Sequence, residues 1–243
     1  MPSFIINSAE KFFVDRSMTI IIDTAEANIE YYLKDGSYAI LIFNDHAGNV
    51  VMNDSGKIEN AEVKITYLQL EQYDLKQNTT VKVDKNARLS VNTTYLGINN
   101  KDIVFDLYNE GSDTDINITN NIVCLDQASF SLDCIGTIIK GAKRSKCHQS
   151  THCLTIDNPK KARVLPVLNI DENDVEASHS LAAGTIDEEV LFYMNSRGLN
   201  KKEALNLILR SYLMPSDNYY DDFAEGQAIQ ERAIKKVDEI CSM

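Results

Sequence analysis

Two short stretches hold the residue types that could do chemistry. Cys147-His148-Gln149-Ser150-Thr151-His152-Cys153 gathers two thiols and two imidazoles in seven residues, the donor set of a zinc or soft-metal site. Extended backbone works against that reading, because alternate side chains point to opposite faces: Cys147, Thr151 and Cys153 share one face, His148 and His152 the other. All four reach one ion only through a turn, and Gln-Ser-Thr gives no strong turn signal. A plain structural strand is the favoured reading, with a redox-responsive thiol role and a closed zinc site as the alternatives. The second stretch is a lone His179 between Ser178 and Ser180, with no Asp and Ser partners at triad spacing. A lone histidine at a strand end is most often a hydrogen-bonded structural residue. At a strand-to-helix junction, however, a neutral imidazole can also offer a nitrogen to iron or to a persulfide.

Other chemistries find no support. Neither Gly-x-Gly-x-x-Gly nor the Walker spacing occurs, so no nucleotide is expected to bind this chain. Asp187-Glu188-Glu189 falls where a helix begins, and the helix dipole accounts for its charge without a glycosidase reading. With no Trp and 8% aromatic residues, nothing specifies a carbohydrate platform.

Charge sets further bounds. With 36 acidic against 24 basic residues the net charge is −12, which opposes phosphate backbones and anionic lipid, so neither nucleic acid nor membrane is an expected partner. The basic cluster Lys140, Lys143, Arg144 and Lys146 runs against this trend, as a solvated turn first and a docking patch second. Five scattered cysteines do not form a disulfide framework and fit a reducing cytosol. The N-terminus lacks the pattern of a signal peptide and no apolar run approaches the ~20 residues of a membrane span, so the expected location is cytoplasmic. The Asn-x-Thr triplets at Asn78, Asn92 and Asn117 then read as surface sequence.

The elements that position these residues are of two kinds. From Thr19 to Ile170 short β-branched and aromatic segments alternate with period two, as in Thr19–Asp23, Tyr38–Phe43, Glu62–Tyr67, Thr80–Asp84 and Asp102–Leu107. A sandwich, a barrel and a β-solenoid all satisfy that texture. Strands of four to six residues, and Asn at supposed turns (Asn60, Asn78, Asn92, Asn99, Asn100, Asn120, Asn121), favour the solenoid, although no fixed repeat is legible. After Gly184 the pattern turns helical. Thr185-Ile-Asp-Glu188 has capping-box spacing, predicting a helix from Ile186 to Arg197-Gly198. Asn200-Lys-Lys-Glu203 repeats it, followed by a stripe of Leu205, Ile208, Leu209 and Tyr212 that ends at Pro215. A third helix is expected from near Asp221 to Ile240, with Ile229, Ala233, Val237 and Ile240 on one face.

Residues 148 to 213 have a recognisable order. His148-Gln149, the apolar Cys153–Ile156, Ala162-Arg163-Val164, Pro166 with Leu168–Ile170, and Asp174-Val175 lead to Ser178-His179. Then follow Ile186–Tyr193, Ser196-Arg197-Gly198-Leu199 and Glu203-Ala204. This run resembles the SufB/SufD family, scaffold subunits of the SUF iron–sulfur cluster assembly machinery, and is closer to SufD. The resemblance implies a mainly β chain, a right-handed parallel β-helix over residues 1–183 with a short lead-in, and a small helical domain over residues 184–243.

It also implies a non-catalytic scaffold that handles a transient iron–sulfur cluster or iron. The β-helix would pair with a SufB-like subunit or a second copy, and the C-terminal helices would dock a SufC-type ATPase whose ATP-driven movement reshapes the scaffold interface. A cysteine desulfurase would act indirectly. His179 matches the SufD histidine implicated in assembly or iron acquisition, Cys147 and Cys153 are further candidates, and Cys153 or Thr151 stands at the SufB thiol position. Phe192, Tyr193, Arg197, Leu205 and Ile208 are the docking candidates. Ser180 replaces the usual Gly, and the chain is shorter than usual SufD proteins. A homodimeric minimal scaffold and a β-solenoid binding module without cluster chemistry are the competing readings.

Overall fold

The computed structural model describes residues 1–125, 128–156, 161–214 and 226–241. Among these residues fifteen strands precede three helices. They are β1 Ser3–Ile6, β2 Lys11–Val14, β3 Met18–Ile22, β4 Glu26–Lys34, β5 Ser37–Asn44, β6 Val50–Glu59, β7 Glu62–Gln69 and β8 Leu75–Val83. There follow β9 Arg88–Gly97, β10 Asn100–Asn109, β11 Asp115–Cys124, β12 Ser129–Ile138, β13 Ser145–Thr155, β14 Lys161–Ile170 and β15 Val175–Thr185. The helices are α1 Glu188–Ser196, α2 Lys201–Leu213 and α3 Gly226–Ile240.

Odd-numbered strands form one sheet, in the order β1-β3-β5-β7-β9-β11-β13-β15, and even-numbered strands the other, from β14 to β2. Every pairing is parallel. The chain thus winds as a β-solenoid, each coil placing one strand in each sheet. Period-two alternation sends Ile65 and Tyr67, Val91 and Tyr95, and Phe105 and Phe130 into the space between the sheets, where they are buried. Burial of these faces against one another is what drives the coils to stack.

Coil length explains why no repeat is legible. Register partners lie 16 residues apart at Ser3 and Thr19, 25 apart at Val50 and Leu75, and 32 apart at Ser129 and Lys161. Strands are also longer than their apolar segments suggest, because polar outward positions continue the ladder. Asn78, Asn92, Asn100, Asn120 and Asn121 lie within strands rather than at turns. Asn120 is buried, accepting from Thr93 Oγ1 at 2.8 Å and donating to Thr151 Oγ1 at 3.1 Å, so its amide joins three neighbouring coils. Asn28, Asn53 and Asn78 form a similar side-chain ladder outside the even-numbered sheet.

Asn60 does turn the chain, in a column of left-handed residues at one corner: Asp35, Asn60, Asn86, Asp113 and Arg144, with φ between 48° and 60°. Each backbone N–H in this column donates to a carbonyl of the next coil, for instance Asn86 to Ser112 at 3.1 Å. Asn and Asp tolerate this backbone. Arg144 is held there by a two-pronged ion pair to Asp113, at 2.7 and 2.5 Å. With Lys146 bound to Glu176 at 2.9 Å, two members of the basic cluster, Arg144 and Lys146, are ion-paired between neighbouring coils.

The solenoid interior also holds a buried polar network. Asp54 accepts from the Tyr67 hydroxyl and, at 2.7 Å, from Thr79. Gln77 donates to Thr79 at 3.0 Å and accepts from Tyr95 at 2.8 Å.

The helices cover part of the outer face of the odd-numbered sheet. Leu68, Leu96, Val123 and Leu154 meet Leu209 and Leu213 of α2 and Ile229, Ala233 and Val237 of α3 in a second apolar cluster. Asn200 forms the expected capping box with Glu203. The first helix starts differently: Thr185 remains in β15 paired with Thr155, and Asp187 is the cap, accepting from Glu189 N at 2.8 Å. Gly198, with φ +94°, terminates it. Pro215 and the expected start of the third helix at Asp221 lie outside the described residues.

Candidate functional site

The last coil, β14 with β15, closes nothing. Among the described residues each strand pairs on one side, and the residues that would be interior are left open: Ile170 and Leu181 are 44% and 43% exposed, while Val164, Leu168, Val175 and Ala177 are only partly covered. Here the candidate residues come together.

Cys147-to-Cys153 is uninterrupted strand, as the missing turn signal implied. Its inner face carries Cys147, Gln149, Thr151 and Cys153, all buried, and its outer face His148 and His152. His148 Nδ1 lies 2.7 Å from Ser178 Oγ, and His152 Nε2 3.4 Å from Ser150 Oγ. The imidazoles and thiols therefore never share an ion.

His179 is found in the middle of β15, not at its end, because the strand runs on through Ser180–Thr185. Its register partner is Gln149, which places it on the inner stripe, exposed because no further coil covers it. Cys147 pairs with Ala177 and Cys153 with Ala183. Strand geometry then separates the His179 and Cys147 backbones by roughly 8 Å and those of His179 and Cys153 by roughly 14 Å. Cys147 is the nearer thiol.

Protonation divides the cysteines. Burial pushes the Cys147 thiol up to about 12, so at neutral pH it is a protonated, weakly reactive group. Cys134, facing the same interior, is likewise raised to about 12 by burial. Cys124, which the sequence did not mark, hydrogen-bonds Cys153. The bond drives the Cys124 thiol up and holds the Cys153 thiol below its ordinary value.

Among the described residues, no group of three or more His, Cys, Asp or Glu side chains converges as a metal cage.

On the helices, α1 buries none of its residues; Phe192 is 76% and Tyr193 58% exposed, and the Arg197 guanidinium stacks 5.2 Å from the Tyr193 ring. Leu205 and Ile208, by contrast, turn inward against the sheet. Among the described residues no helix is long and apolar enough to cross a membrane.

Residues 7–212 match the family profile described as SUF system FeS cluster assembly, SufBD core domain. An iron–sulfur cluster assembly SufBD family protein of Pyrococcus horikoshii is 28% identical over 222 residues, covering 79% of this chain and 49% of that protein. The iron–sulfur cluster assembly protein SufD of Bacillus subtilis is 35% identical over 96 residues, 40% of this chain and 22% of its own length. A SufBD family protein of Archaeoglobus fulgidus is 36% identical over 78 residues, 32% and 21% of the two chains. The chain thus spans about half the length of the first of these relatives.

Proposed function

This chain belongs to the SufB/SufD family of the SUF iron–sulfur cluster assembly system, and from that premise we propose that it is a non-catalytic scaffold subunit on which a cluster or its iron is held in transit. The observation that carries this reading is the open last coil, with His179 and the exposed Leu181 on the uncovered inner stripe of β15 and the exposed Ile170 on that of β14. Unpaired parallel edges with apolar flanks are surfaces that seek another strand. A SufB-like subunit, or a second copy, covers them by pairing along β14 and β15, which brings the partner's donors to His179.

The ATPase, of SufC type, docks on α1 through Phe192, Tyr193 and Arg197. Rigid aromatic rings beside a guanidinium are the side chains that dominate binding energy at interfaces. Leu205 and Ile208 support that surface from beneath by fixing α2 to the sheet. The chain itself hydrolyses nothing, and the desulfurase system supplies sulfur from outside.

Co-purification with the ATPase tests the reading. Phe192→Ser with Tyr193→Ser should abolish the complex and leave the thermal transition unchanged, because neither ring is buried. Full retention of the complex in the double variant would sink the docking surface. A homodimeric scaffold that needs no separate SufB is the alternative reading, motivated by Cys147 and Cys153, thiols on the inner face of the strand that pairs with the His179 strand. Anaerobic reconstitution with iron and sulfide distinguishes it, since Cys153→Ser should then lower cluster absorbance, and equal loading would exclude it.

A further inference from the structure

The carbonyl end of the Gln149 side chain is left without a partner. Its Nε2 crosses the solenoid interior and donates to the Val167 carbonyl of β14 at 3.1 Å, whereas Oε1 is buried without a hydrogen-bond partner. The amide cannot be reversed, because a carbonyl oxygen only accepts and the NH2 group must face it. The space the amide occupies is provided by Gly136 of β12: a Cβ there would meet Gln149 Nε2 at 2.9 Å and Cys147 Sγ at 2.6 Å. A buried acceptor left empty forfeits its hydration without replacement, so such a group calls for a donor.

That donor is in register. His179 pairs with Gln149 across adjacent strands on the same inner stripe, with Cβ atoms about 5 Å apart by strand spacing. An imidazole carries at least one ring N–H whatever its protonation. We propose that Gln149 is the positioning residue of His179: Oε1 accepts one ring N–H, fixes the tautomer and plane of the imidazole, and leaves the other ring nitrogen as a lone pair facing out of the open coil. The inference rests on the assembly role given to His179 above and says how the solenoid presents it to an incoming iron(II) ion. Histidines that bind metals almost always donate their second N–H to a fixed acceptor in this way.

Imidazole nitrogen NMR of the full chain labelled with 15N-histidine tests the proposal without any SUF partner. The ring signals of His179 are assigned by their loss in His179→Gln, and spectra are taken at a pH where the ring is neutral. In the wild-type protein His179 should show one tautomer, with a ring N–H protected from exchange. Gln149→Leu should give the averaged nitrogens of a free imidazole, and Gln149→Glu, which keeps an acceptor, should restore the single tautomer. Averaged nitrogens in the wild-type protein, or the same tautomer in Gln149→Leu, would overturn the inference. Should Gln149→Leu fail to fold, the wild-type and Gln149→Glu spectra still decide it. Loss of ATPase docking would leave these spectra unchanged, so the two readings fail separately.

Discussion

Asp54 places a carboxyl group in the middle of the solenoid, and its replacement by Asn should change how stability depends on pH. The group is buried with Tyr67 and Thr79 donating to it, and burial raises it from 3.8 to about 6 against the opposing pull of those two bonds. A carboxyl raised on folding binds its proton more tightly in the folded state. The wild-type protein therefore has its full stability below the unfolded value near 4 and loses it as pH climbs to the folded value near 6. At about 1.4 kcal/mol per pK unit the total loss is about 3 kcal/mol, roughly half of it between pH 5 and pH 8. A carboxamide cannot ionise, so Asp54→Asn abolishes this component, at the expense of one acceptor worth about 1 kcal/mol. Urea unfolding of both proteins at pH 5 and pH 8 isolates the effect as a difference of differences, since every other titrating group is shared. Wild type should weaken relative to Asp54→Asn by roughly 1–2 kcal/mol across that interval. Parallel pH dependence in the two proteins would refute the reasoning.

Three further substitutions probe the elements around the site. Gly136→Ala puts a methyl group against Cys147 Sγ and Gln149 Nε2 and should cost about 1–3 kcal/mol, measured as a lower urea midpoint at unchanged slope. Asn200→Ala removes the capping box of α2 and should cost about 1 kcal/mol, visible as a lower thermal midpoint with the β signal of circular dichroism intact. Asn86 sits at φ 56°, so Asn86→Val should destabilise by about 1–2 kcal/mol while Asn86→Gly is close to neutral; equal effects would mean that the side chain, not the backbone, matters there.

Much of the architecture was legible because period-two alternation is a local property. Ile65 and Tyr67, or Ile116 and Ile118, announce an inner face without reference to anything distant. What escaped was where strands stop. Asn120 read as a turn residue because isolated Asn favours left-handed backbone, yet Thr93 and Thr151, 27 and 31 residues away in sequence, satisfy its amide inside a strand. The start of α1 departs from its local pattern for a related reason: Thr185 has the spacing of a cap, but pairing with Thr155 keeps it in the sheet and passes the capping role to Asp187. The Asn200 cap depends on nothing beyond its own turn, and there the local pattern sufficed.

The candidate site divides along the same line. The sequence by itself determined that Cys147 and Cys153 face away from His148 and His152, because alternation along one strand needs no partner. Only the tertiary structure decided which residues His179 meets. With coils of 16 to 32 residues, no repeat in the sequence could foretell that position 179 stacks on 149, or that Cys124 reaches Cys153. Register between coils is set by corner turns and by interior packing, which are properties of the wound chain and not of any one of its strands.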